Sequence, residues 1–461
     1  MPKLPKIAVV ATLCLAFTGC GRIKRPMPIL PFGGQGTARQ SFGNYNGGEG
    51  DKTQKVLPQE DGRVMLVGTS FYNDTTDCYE DKFAGTVCRP HSDTALLRFG
   101  LNAEPDISFA ETGARFIDNG FRDFTLDAAM DADGRLLVLQ RTQGRGLSSP
   151  RTVLFRLGPD GVLEKSFGQG GIVEVNTELM MDRFFLRLAD SKIYVAWNSE
   201  RGGVAIRRYS IDGALDTSYG AAGLVTTAEK WNAWDLHIDS AGSAVLASTT
   251  KDFSGSVVAK FDSSGALDKS FAGVGWVNIG SIVSPLFDVQ TMDRANGKIT
   301  IGLAQTSYTE PSFSSFVRLN EDGSFDNSFG TSGCLNVPSS YRMLVQGIKV
   351  RSDDKIVAVA RRFQSPDLYF ARLNPDGSYD SKFARGGNWD FAMTGWSFPS
   401  IALDAAERIV MGTSDNGYYV ARFNADGKLD AGNATATIPR ARKSFPRAFL
   451  SRWRSPFAYP R

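Results

Sequence analysis

Histidine is nearly absent from this chain of 461 residues, with only His91 and His237 present. A histidine-based metal centre and a Ser/His relay are therefore poorly supported, because both need imidazole groups. The sequence also lacks a glycine-rich loop that could hold phosphate, and the acidic turn at residues 131–134 lacks the further oxygen ligands of an EF-type calcium loop. We predict no catalytic residues, no cofactor and no metal.

Long apolar runs are equally scarce. The run Ile7–Phe17 follows two lysines and is too short for a permanent membrane span, so it predicts a secretory signal. Thr18-Gly19-Cys20 resembles the bacterial lipoprotein cleavage box, and we favour lipid attachment at Cys20 over an ordinary signal peptide with an incidental cysteine. Because Gly21 is not the Asp of an inner-membrane retention signal, we expect a lipid-anchored protein of the bacterial cell envelope, in the outer rather than the inner membrane.

Cysteine is rare too, with five residues. Cys14 leaves with the signal. Cys78 and Cys88 lie ten residues apart in the polar insertion Phe71–Asp93, which predicts a disulfide in an oxidising compartment. A metal site with His91 is the weaker alternative, because two Cys and one His are too few ligands. We expect Cys334 to be a buried free thiol.

The sequence is strongly repetitive. Seven times, at a period of 50 to 60 residues, a basic residue is followed eight positions later by an acidic one, which indicates a repeat architecture. The pairs are Arg98/Asp106, Arg156/Glu164, Arg208/Asp216, Lys260/Asp268, Arg318/Asp326, Arg372/Asp380 and Arg422/Asp430.

The spacing of each pair fits a tight β-hairpin. Around Pro375-Asp376-Gly377 a type I turn followed by a left-handed glycine places Arg372 opposite Asp380 on neighbouring strands. A catalytic interpretation would require seven active sites, so we predict that the pairs are structural.

Each repeat also contains a strand pair upstream of this hairpin and a short apolar alternation after it. Four strands per unit, without a helical period, are typical of a propeller blade. The aromatic residues at 109, 167, 219, 271, 329 and 383 are expected to wedge between blades. The orphan Ser41-Phe42-Gly43 completes the last copy, which ends at Asp430 without that motif. We therefore predict an all-β, seven-bladed β-propeller of four-stranded blades, closed by the N-terminal strand.

The recurring text, as in Arg372-Leu-Asn-Pro-Asp-Gly-Ser-Tyr-Asp380, resembles the delta-60 repeat, a bacterial repeat family. The resemblance covers roughly residues 41–433 and implies a β-propeller on secreted or envelope proteins, with no reaction and no catalytic residues. The first copy departs from the pattern, because residues 100–105 contain no Asp-Gly.

Charge is uneven along the chain, although the net charge is only +3. Residues 431–461 carry six Arg, one Lys and no acid. We expect a disordered basic tail there, with adhesion to anionic lipid or polysaccharide as the alternative, and no binding of nucleic acid. The predicted divisions are a lipoprotein signal peptide at 1–19, a Pro/Gly tether at 20–40, the propeller at 41–433 and the tail at 434–461.

Two classes of function remain open. The first is a non-enzymatic, monomeric envelope lipoprotein, attached to the membrane by its lipid, whose loops bind or scaffold a protein or glycan. The second is a propeller enzyme, a lyase or hydrolase acting at the central channel. We favour the first, since no acids or bases visibly break the repeat. The insertion, with Tyr79, Phe83, Arg89 and His91, is the candidate partner-binding loop.

Overall fold

The computed structural model describes residues 37–40, 51–81, 85–119, 122–143, 150–175, 183–199, 202–251, 255–283, 287–305, 313–338, 343–362, 365–393, 398–414 and 417–430, with only the backbone described at 37–40, 72–81, 85, 87–90 and 313. Within these ranges the chain forms 28 strands and a 3₁₀ helix, Ile279–Ser281. No helix in the described ranges is long and apolar enough to cross a membrane.

Five sheets have four antiparallel strands each, joined mainly by tight turns. In chain order they comprise β10 (Phe184–Ala189), β11 (Lys192–Asn198), β12 (Val204–Ser210) and β13 (Leu224–Thr226); β14 (Trp231–Ile238), β15 (Ala244–Thr250), β16 (Ser256–Phe261) and β17 (Trp276–Asn278); β18 (Phe287–Ala295), β19 (Lys298–Gln305), β20 (Phe313–Asn320) and β21 (Cys334–Asn336); β22 (Met343–Val350), β23 (Ile356–Arg362), β24 (Leu368–Leu373) and β25 (Asn388–Phe391); and β26 (Ser400–Leu403), β27 (Ile409–Ser414) and β28 (Tyr418–Phe423) with β1 (Thr37–Gln40).

The remaining sheet has eight strands. It comprises β2 (Lys52–Pro58), β3 (Val64–Asp81), β4 (Gly85–Phe99), β5 (Ala114–Ile117), β6 (Arg122–Met130), β7 (Leu136–Gln143), β8 (Arg151–Leu157) and β9 (Ile172–Val175).

The prediction of seven separate four-stranded blades is therefore wrong. The structure has five four-stranded blades, and β2–β5 share one sheet with β6–β9 because Ser92 in β4 forms a parallel bridge with Arg122 in β6. The physical reason is the insertion in the first repeat. It extends β4 to 15 residues, so this strand reaches the edge of β6.

The sheets are arranged as a β-propeller. The first strands of the successive units contact one another in the order β2, β6, β10, β14, β18, β22 and β26, and β26 contacts β2. Between the last sheet and the first, the Thr53 amide donates to Ser414 Oγ at 2.7 Å, and Thr53 Oγ1 donates to the Thr413 carbonyl at 2.8 Å.

An N-terminal strand also joins the last sheet. β1 pairs with β28 in antiparallel register, with Thr37 opposite Ala421 and Gln40 opposite Tyr418. The Ser41-Phe42-Gly43 motif, which we expected to lie at this position, falls outside the described residues. The strand that forms the pairing thus lies just before the motif.

The hydrophobic cores lie between neighbouring sheets. One joins Val56 and Leu66 to Val410 and Tyr418, across the junction of the first and last sheets. The six repeated aromatic residues are almost fully buried, and they are Phe109, Phe167, Tyr219, Phe271, Phe329 and Phe383. Each lies against the turn glycine of the following unit, as Phe109 does against Gly161, where an added Cβ would come within 2.7 Å of the ring.

The hairpin turns follow the geometry expected from the eight-residue spacing. Leu373 bridges Tyr379, and the amide of Asp380 donates to the Arg372 carbonyl at 2.9 Å. The divergent first copy forms the same turn, because Ala103 takes a left-handed φ of 67° where the other copies have glycine.

Candidate functional site

The seven basic and acidic pairs lie together on one face of the ring, which we call the turn face because it carries the strand 1–2 and strand 3–4 turns of each unit. Every pair is within ion-pair distance. The N–O distances are 2.6 Å for Arg98–Asp106, 2.6 Å for Arg156–Glu164, 2.9 Å for Arg208–Asp216, 3.5 Å for Lys260–Asp268, 2.8 Å for Arg318–Asp326, 2.7 Å for Arg372–Asp380 and 2.7 Å for Arg422–Asp430.

These pairs also connect neighbouring units. Arg156 donates from Nη1 to the Ile211 carbonyl at 2.6 Å, and Arg422 reaches across the ring junction to the Gly62 carbonyl at 3.1 Å. In five units the acid accepts a second cation from the start of the second strand, as Asp380 does from Lys355 at 2.9 Å. The other four second cations are Arg63, Lys192, Lys298 and Arg408. The acids of the seven pairs are therefore engaged in structural contacts.

A second charged group, which we call the central group, links the first strands of neighbouring units. Asp127 on β6 binds Lys55 on β2 at 3.2 Å and Arg187 on β10 at 2.8 Å, and Arg187 continues to Asp235 on β14 at 2.9 Å. The carboxylates also accept backbone amides of the next unit, Leu186 for Asp127 at 2.9 Å and Met292 for Asp235 at 3.0 Å. This chain of four side chains connects four successive first strands.

The electrostatics of this central group favour the ionised forms of Asp127 and Arg187. Burial opposes the charge on Asp127, but Lys55 and Arg187 outweigh it and hold the pKa of the carboxyl below its ordinary value. Burial likewise opposes the charge on Arg187, and Asp127 and Asp235 raise the pKa of the guanidinium instead. Burial lowers the pKa of Lys55. The group thus behaves as a compensated ion network that holds neighbouring units together.

On the opposite face, the hairpin of β3 and β4 extends beyond its sheet, and we call its outer part, residues 71–92, the ribbon. β3 has 18 residues and β4 has 15, whereas the corresponding strands β7 and β8 have 8 and 7. We expected a loop here, but the backbones are paired, with Tyr72 opposite His91 and Cys78 opposite Cys88. The insertion is therefore an extended two-stranded structure.

The candidate residues of this insertion are distributed along the ribbon. Tyr79 lies on β3 opposite Val87, and Arg89 lies on β4. Phe83 lies outside the described residues. His91 is at the base of the ribbon and is buried, so its side chain is not part of an exposed surface.

At this base, which we call the ribbon root, three carboxylates come together. Asp93 on β4, Asp118 after β5 and Asp123 on β6 each place one oxygen within 4.8 Å of the others. Asp123 is fully buried, and its Oδ2 accepts the Asn119 amide at 2.5 Å. Burial, together with the charge of Asp118, raises the pKa of Asp123 to about 7, although hydrogen bonding from Thr142 and Asn119 opposes the shift. This cluster could hold a metal ion.

Neither the central group nor the ribbon root was anticipated from the sequence. The available signal was a charged residue inside the first strand of a unit. Lys55, Asp127 and Asp235 each directly follow a β-bulge in the first strand of a unit, which turns the side chain out of the regular alternation. At the root, Asp93 is distant in sequence from Asp118 and Asp123, and it meets them only because β4 lies beside β6.

Another predicted feature, the thiol of Cys334, lies in an apolar layer. Cys334 is a buried free thiol, and burial raises its pKa. Trp231 is buried in a core, whereas Trp234 carries the Arg183 guanidinium 3.7 Å from its ring centre.

Comparison with family models supports the repeat interpretation. Residues 294–329, 351–383 and 409–432 match a family described as "Domain of unknown function (DUF5122) beta-propeller". Two of these segments end at a wedge aromatic, Phe329 or Phe383. The chain is a β-propeller repeat protein.

The comparison with curated proteins gave no match. Among solved structures, the chain is similar to the polysaccharide lyase Uly1, with 10% identity, 84% of this chain and 92% of that chain covered and a TM-score of 0.47. It is similar to the α-L-arabinofuranosidase Arb93A from Fusarium graminearum, with 7% identity, 82% and 94% covered and a TM-score of 0.41. It is also similar to the propeller domain of the Trilobed protease from Pyrococcus furiosus, with 9% identity, 83% and 92% covered and a TM-score of 0.43. At this level of similarity the different activities of these proteins decide nothing about this chain.

Proposed function

We propose that the protein is a non-enzymatic envelope lipoprotein of the delta-60 repeat type, whose propeller presents the ribbon to a protein or glycan partner. The observation that carries this proposal is the ribbon itself. It is the feature in which the first repeat departs from the other copies, and insertions in repeat proteins tend to mark the binding face.

The backbone register of the ribbon supports the expected disulfide. Cys78 is directly opposite Cys88 in an antiparallel ladder. Partner Cα atoms in such a ladder are about 4.5–5.5 Å apart, which lies within the range of about 4.4–6.8 Å that disulfides use. A crosslink at this position would restrict the conformations of the ribbon and so reduce the entropy lost when a partner binds.

The residues before β1 fit a tether from a lipid anchor. Cys20, the proposed lipid attachment site, lies outside the described residues, and β1 begins at Thr37. The 16 intervening residues, 21–36, could span at most roughly 50–60 Å when extended. This reach would let the ring stand clear of an outer-membrane surface while its first strand stays fixed to the last sheet. Metabolic labelling with palmitate should mark the wild-type protein and not Cys20→Ala.

The alternative, a lyase or hydrolase acting at the central channel, needs an acid or base that is available for chemistry. Asp127 and Asp235 are instead held by Arg187 and by backbone amides of the next unit. A cavity beside Met343, Tyr369 and Tyr379 has an apolar lining and a volume of about 20 Å³, which is room for a single water molecule. These observations favour binding over catalysis.

The test replaces residues 74–89 with a short Gly-Ser turn, keeping Asn73, Pro90 and the ribbon root. Circular dichroism and a thermal melt establish that the ring is folded. Crosslinking in envelope membranes of the native host should then capture a partner, protein or glycan, with the full chain and lose it with the replacement. Capture at full strength by the ribbon-less protein would overturn the proposal.

A second variant tests whether the proposed crosslink contributes to partner capture when the ribbon itself is kept. The double variant Cys78→Ser, Cys88→Ser keeps every other side chain and removes only the proposed crosslink. We expect partner capture that is weakened but retained, because the paired backbone of the ribbon remains.

A further inference from the structure

The fourth strand of a unit begins at a fixed distance from the wedge aromatic. The strands β5, β9, β13, β17, β21 and β25 each begin five residues after the aromatic at 109, 167, 219, 271, 329 or 383, and a glycine directly precedes each strand. β1, the fourth strand of the last sheet, begins at Thr37. Five residues before it is Phe32, and Gly36 directly precedes it.

The register of β1 is also that of the other fourth strands. Thr37 lies opposite Ala421, which directly precedes Arg422. The first residue of each other fourth strand likewise lies opposite the residue before the basic member of its pair, as Ile172 does opposite Phe155. The aromatic residue five places before Thr37 therefore has the position of a wedge.

The Ser41-Phe42-Gly43 motif does not meet these conditions. It follows β1 instead of preceding it, and the residue four places after Phe42 is Asn46, where the six wedge aromatics have glycine.

The junction between the last and first units contains part of the contact that a wedge completes elsewhere. Where a wedge aromatic is present, the next residue donates its amide to a turn carbonyl of the following unit, as Gly168 does to Asp212 at 2.9 Å. Arg156 also donates to the carbonyl before that one, Ile211. The corresponding contact from Arg422, to the Leu101 carbonyl, is present at 2.9 Å.

The last unit cannot supply the wedge from its own sequence, because Asp430 is followed by Ala431-Gly432-Asn433. We propose that Phe32 and Gly33 dock against the first unit at this junction. The ring of Phe32 packs beside the turn at 100–105, and the Gly33 amide donates to the carbonyl of Asn102, the counterpart of Asp212.

The residue sizes at the junction suit this docking. Ala103 stands where the other copies have the turn glycine, so its methyl group needs space. At the equivalent Gly213 an added Cβ would come within 2.6 Å of Val173, the second residue of β9. The second residue of β1 is Ala38. A methyl group added on one side is thus matched by methyl groups missing on the other.

Docking of Phe32 fixes where the N-terminal segment leaves the ring. The wedge aromatics pack against strand 3–4 turns, which lie on the turn face, whereas the ribbon projects from the opposite face. With the lipid anchor proposed at Cys20, on which this orientation rests, residues 21–31 form the tether and span at most about 40 Å. The turn face is then directed toward the membrane, and the ribbon away from it, toward a partner.

The test uses the full chain without the predicted signal, residues 20–461, and compares thermal melts of three alanine variants. Phe32→Ala should lower the melting temperature about as far as Phe383→Ala, because both remove an aromatic side chain from between neighbouring units. Phe42→Ala is the matched control and should leave the melting temperature unchanged. Phe32→Tyr should melt as the wild type does, since Tyr219 is the buried wedge of another unit.

Hydrogen exchange of the wild-type protein tests the docking without any variant. The Gly33 amide should exchange about as slowly as the Gly168 amide, because both are bonded to a carbonyl of the following unit. In Phe32→Ala, exchange at Gly33 should become about 10-fold faster or more, while exchange at Gly168 stays unchanged.

Rapid exchange at Gly33 in the wild-type protein overturns the proposal, even where Phe32→Ala fails to fold. It is equally overturned if Phe32→Ala melts as the wild type does, or if Phe42→Ala has the larger effect. Neither measurement depends on lipid attachment or on a partner, so failure here is distinguishable from a chain that is not lipidated or a ribbon that binds nothing.

Discussion

The two faces of this propeller treat their acidic residues in opposite ways. On the turn face Asp380 lies 2.7 Å from Arg372 and 2.9 Å from Lys355, and related arrangements recur from unit to unit. At the ribbon root Asp123 lies instead among two further acids. Repetition of a compensated contact is what a ring needs for stability, whereas the group of three neighbouring carboxylates occurs at this one position among the described residues.

The difference extends to the backbone. The turn face is joined from unit to unit by repeated hydrogen bonds, such as Gly168 N to the Asp212 carbonyl at 2.9 Å and Gly220 N to the Ser264 carbonyl at 2.8 Å. At the ribbon root a side chain contributes to the contact between units beside the Ser92–Arg122 bridge, since the Asp123 amide donates to Ser92 Oγ at 3.1 Å. We therefore expect substitutions on the turn face to lower the stability of the whole ring, and substitutions at the root to act locally.

The largest effect should come from removing an acid of the turn face. Asp380→Asn leaves Arg372 and Lys355 without a counter-charge, and we expect a loss of about 3 kcal/mol in the free energy of unfolding. Denaturant unfolding measures the loss. Asp212→Asn, whose side chain is 75% exposed, should change stability by less than about 0.5 kcal/mol. Equal effects at both positions would remove the distinction between compensated buried acids and surface acids.

The same pair should respond to acid. Burial opposes ionisation of Asp380, but Lys355, the Lys382 amide and Arg372 outweigh it and lower its pKa to about 2. An unfolded Asp has a pKa of about 3.9, so this contribution is fully present above about pH 4 and is lost as the pH falls through about 2. Thermal melts of the wild type and Asp380→Asn should therefore converge between pH 4 and pH 2. If the melting temperatures of the two proteins instead changed in parallel between pH 4 and pH 2, the lowered pKa of Asp380 would be contradicted.

A smaller effect should distinguish backbone strain from packing between units. Gly161 has a φ of +80°, and an added Cβ would lie 2.7 Å from the Phe109 ring, whereas Gly386 has a φ of +81° with nothing within 4 Å. Gly386→Ala should cost about 1 kcal/mol from strain alone, and Gly161→Ala about 2–3 kcal/mol because the ring must also move. The difference between the two denaturation midpoints measures the wedge contact, and equal midpoints would argue against it.

The smallest effect is expected at the ribbon root. Ser92→Ala removes the acceptor of the Asp123 amide and should cost about 1 kcal/mol. Hydrogen exchange should show faster exchange near Asp123 and unchanged protection around the Arg372–Asp380 hairpin. Ser270→Ala, which removes only a turn hydroxyl donating to Asp268, is the control. Loss of protection throughout the ring would show that the root is as central to stability as the turn face.

Much of the fold was predictable from particular residues. The spacing of Arg372 and Asp380 determines which residues face each other across a short hairpin, and the structure has Leu373 bridging Tyr379 as that spacing requires. The predicted number of separate blades was wrong, because nothing in the sequence of the insertion shows that β4 reaches β6. The insertion was also expected to be a loop, because it is long and polar, whereas the structure pairs its two strands.

The sequence by itself determined the repeat, the turns and the partner of each charge within a hairpin, because these depend on residues fewer than ten positions apart. Only the tertiary structure decided the contacts between units. Lys55 meets Asp127, Arg187 meets Asp235 and Asp93 meets Asp123 because ring geometry brings first strands and sheet edges together. Such contacts join residues separated by whole units or by unrelated elements, and the closure of the chain in space, rather than any local spacing, determines which of them form.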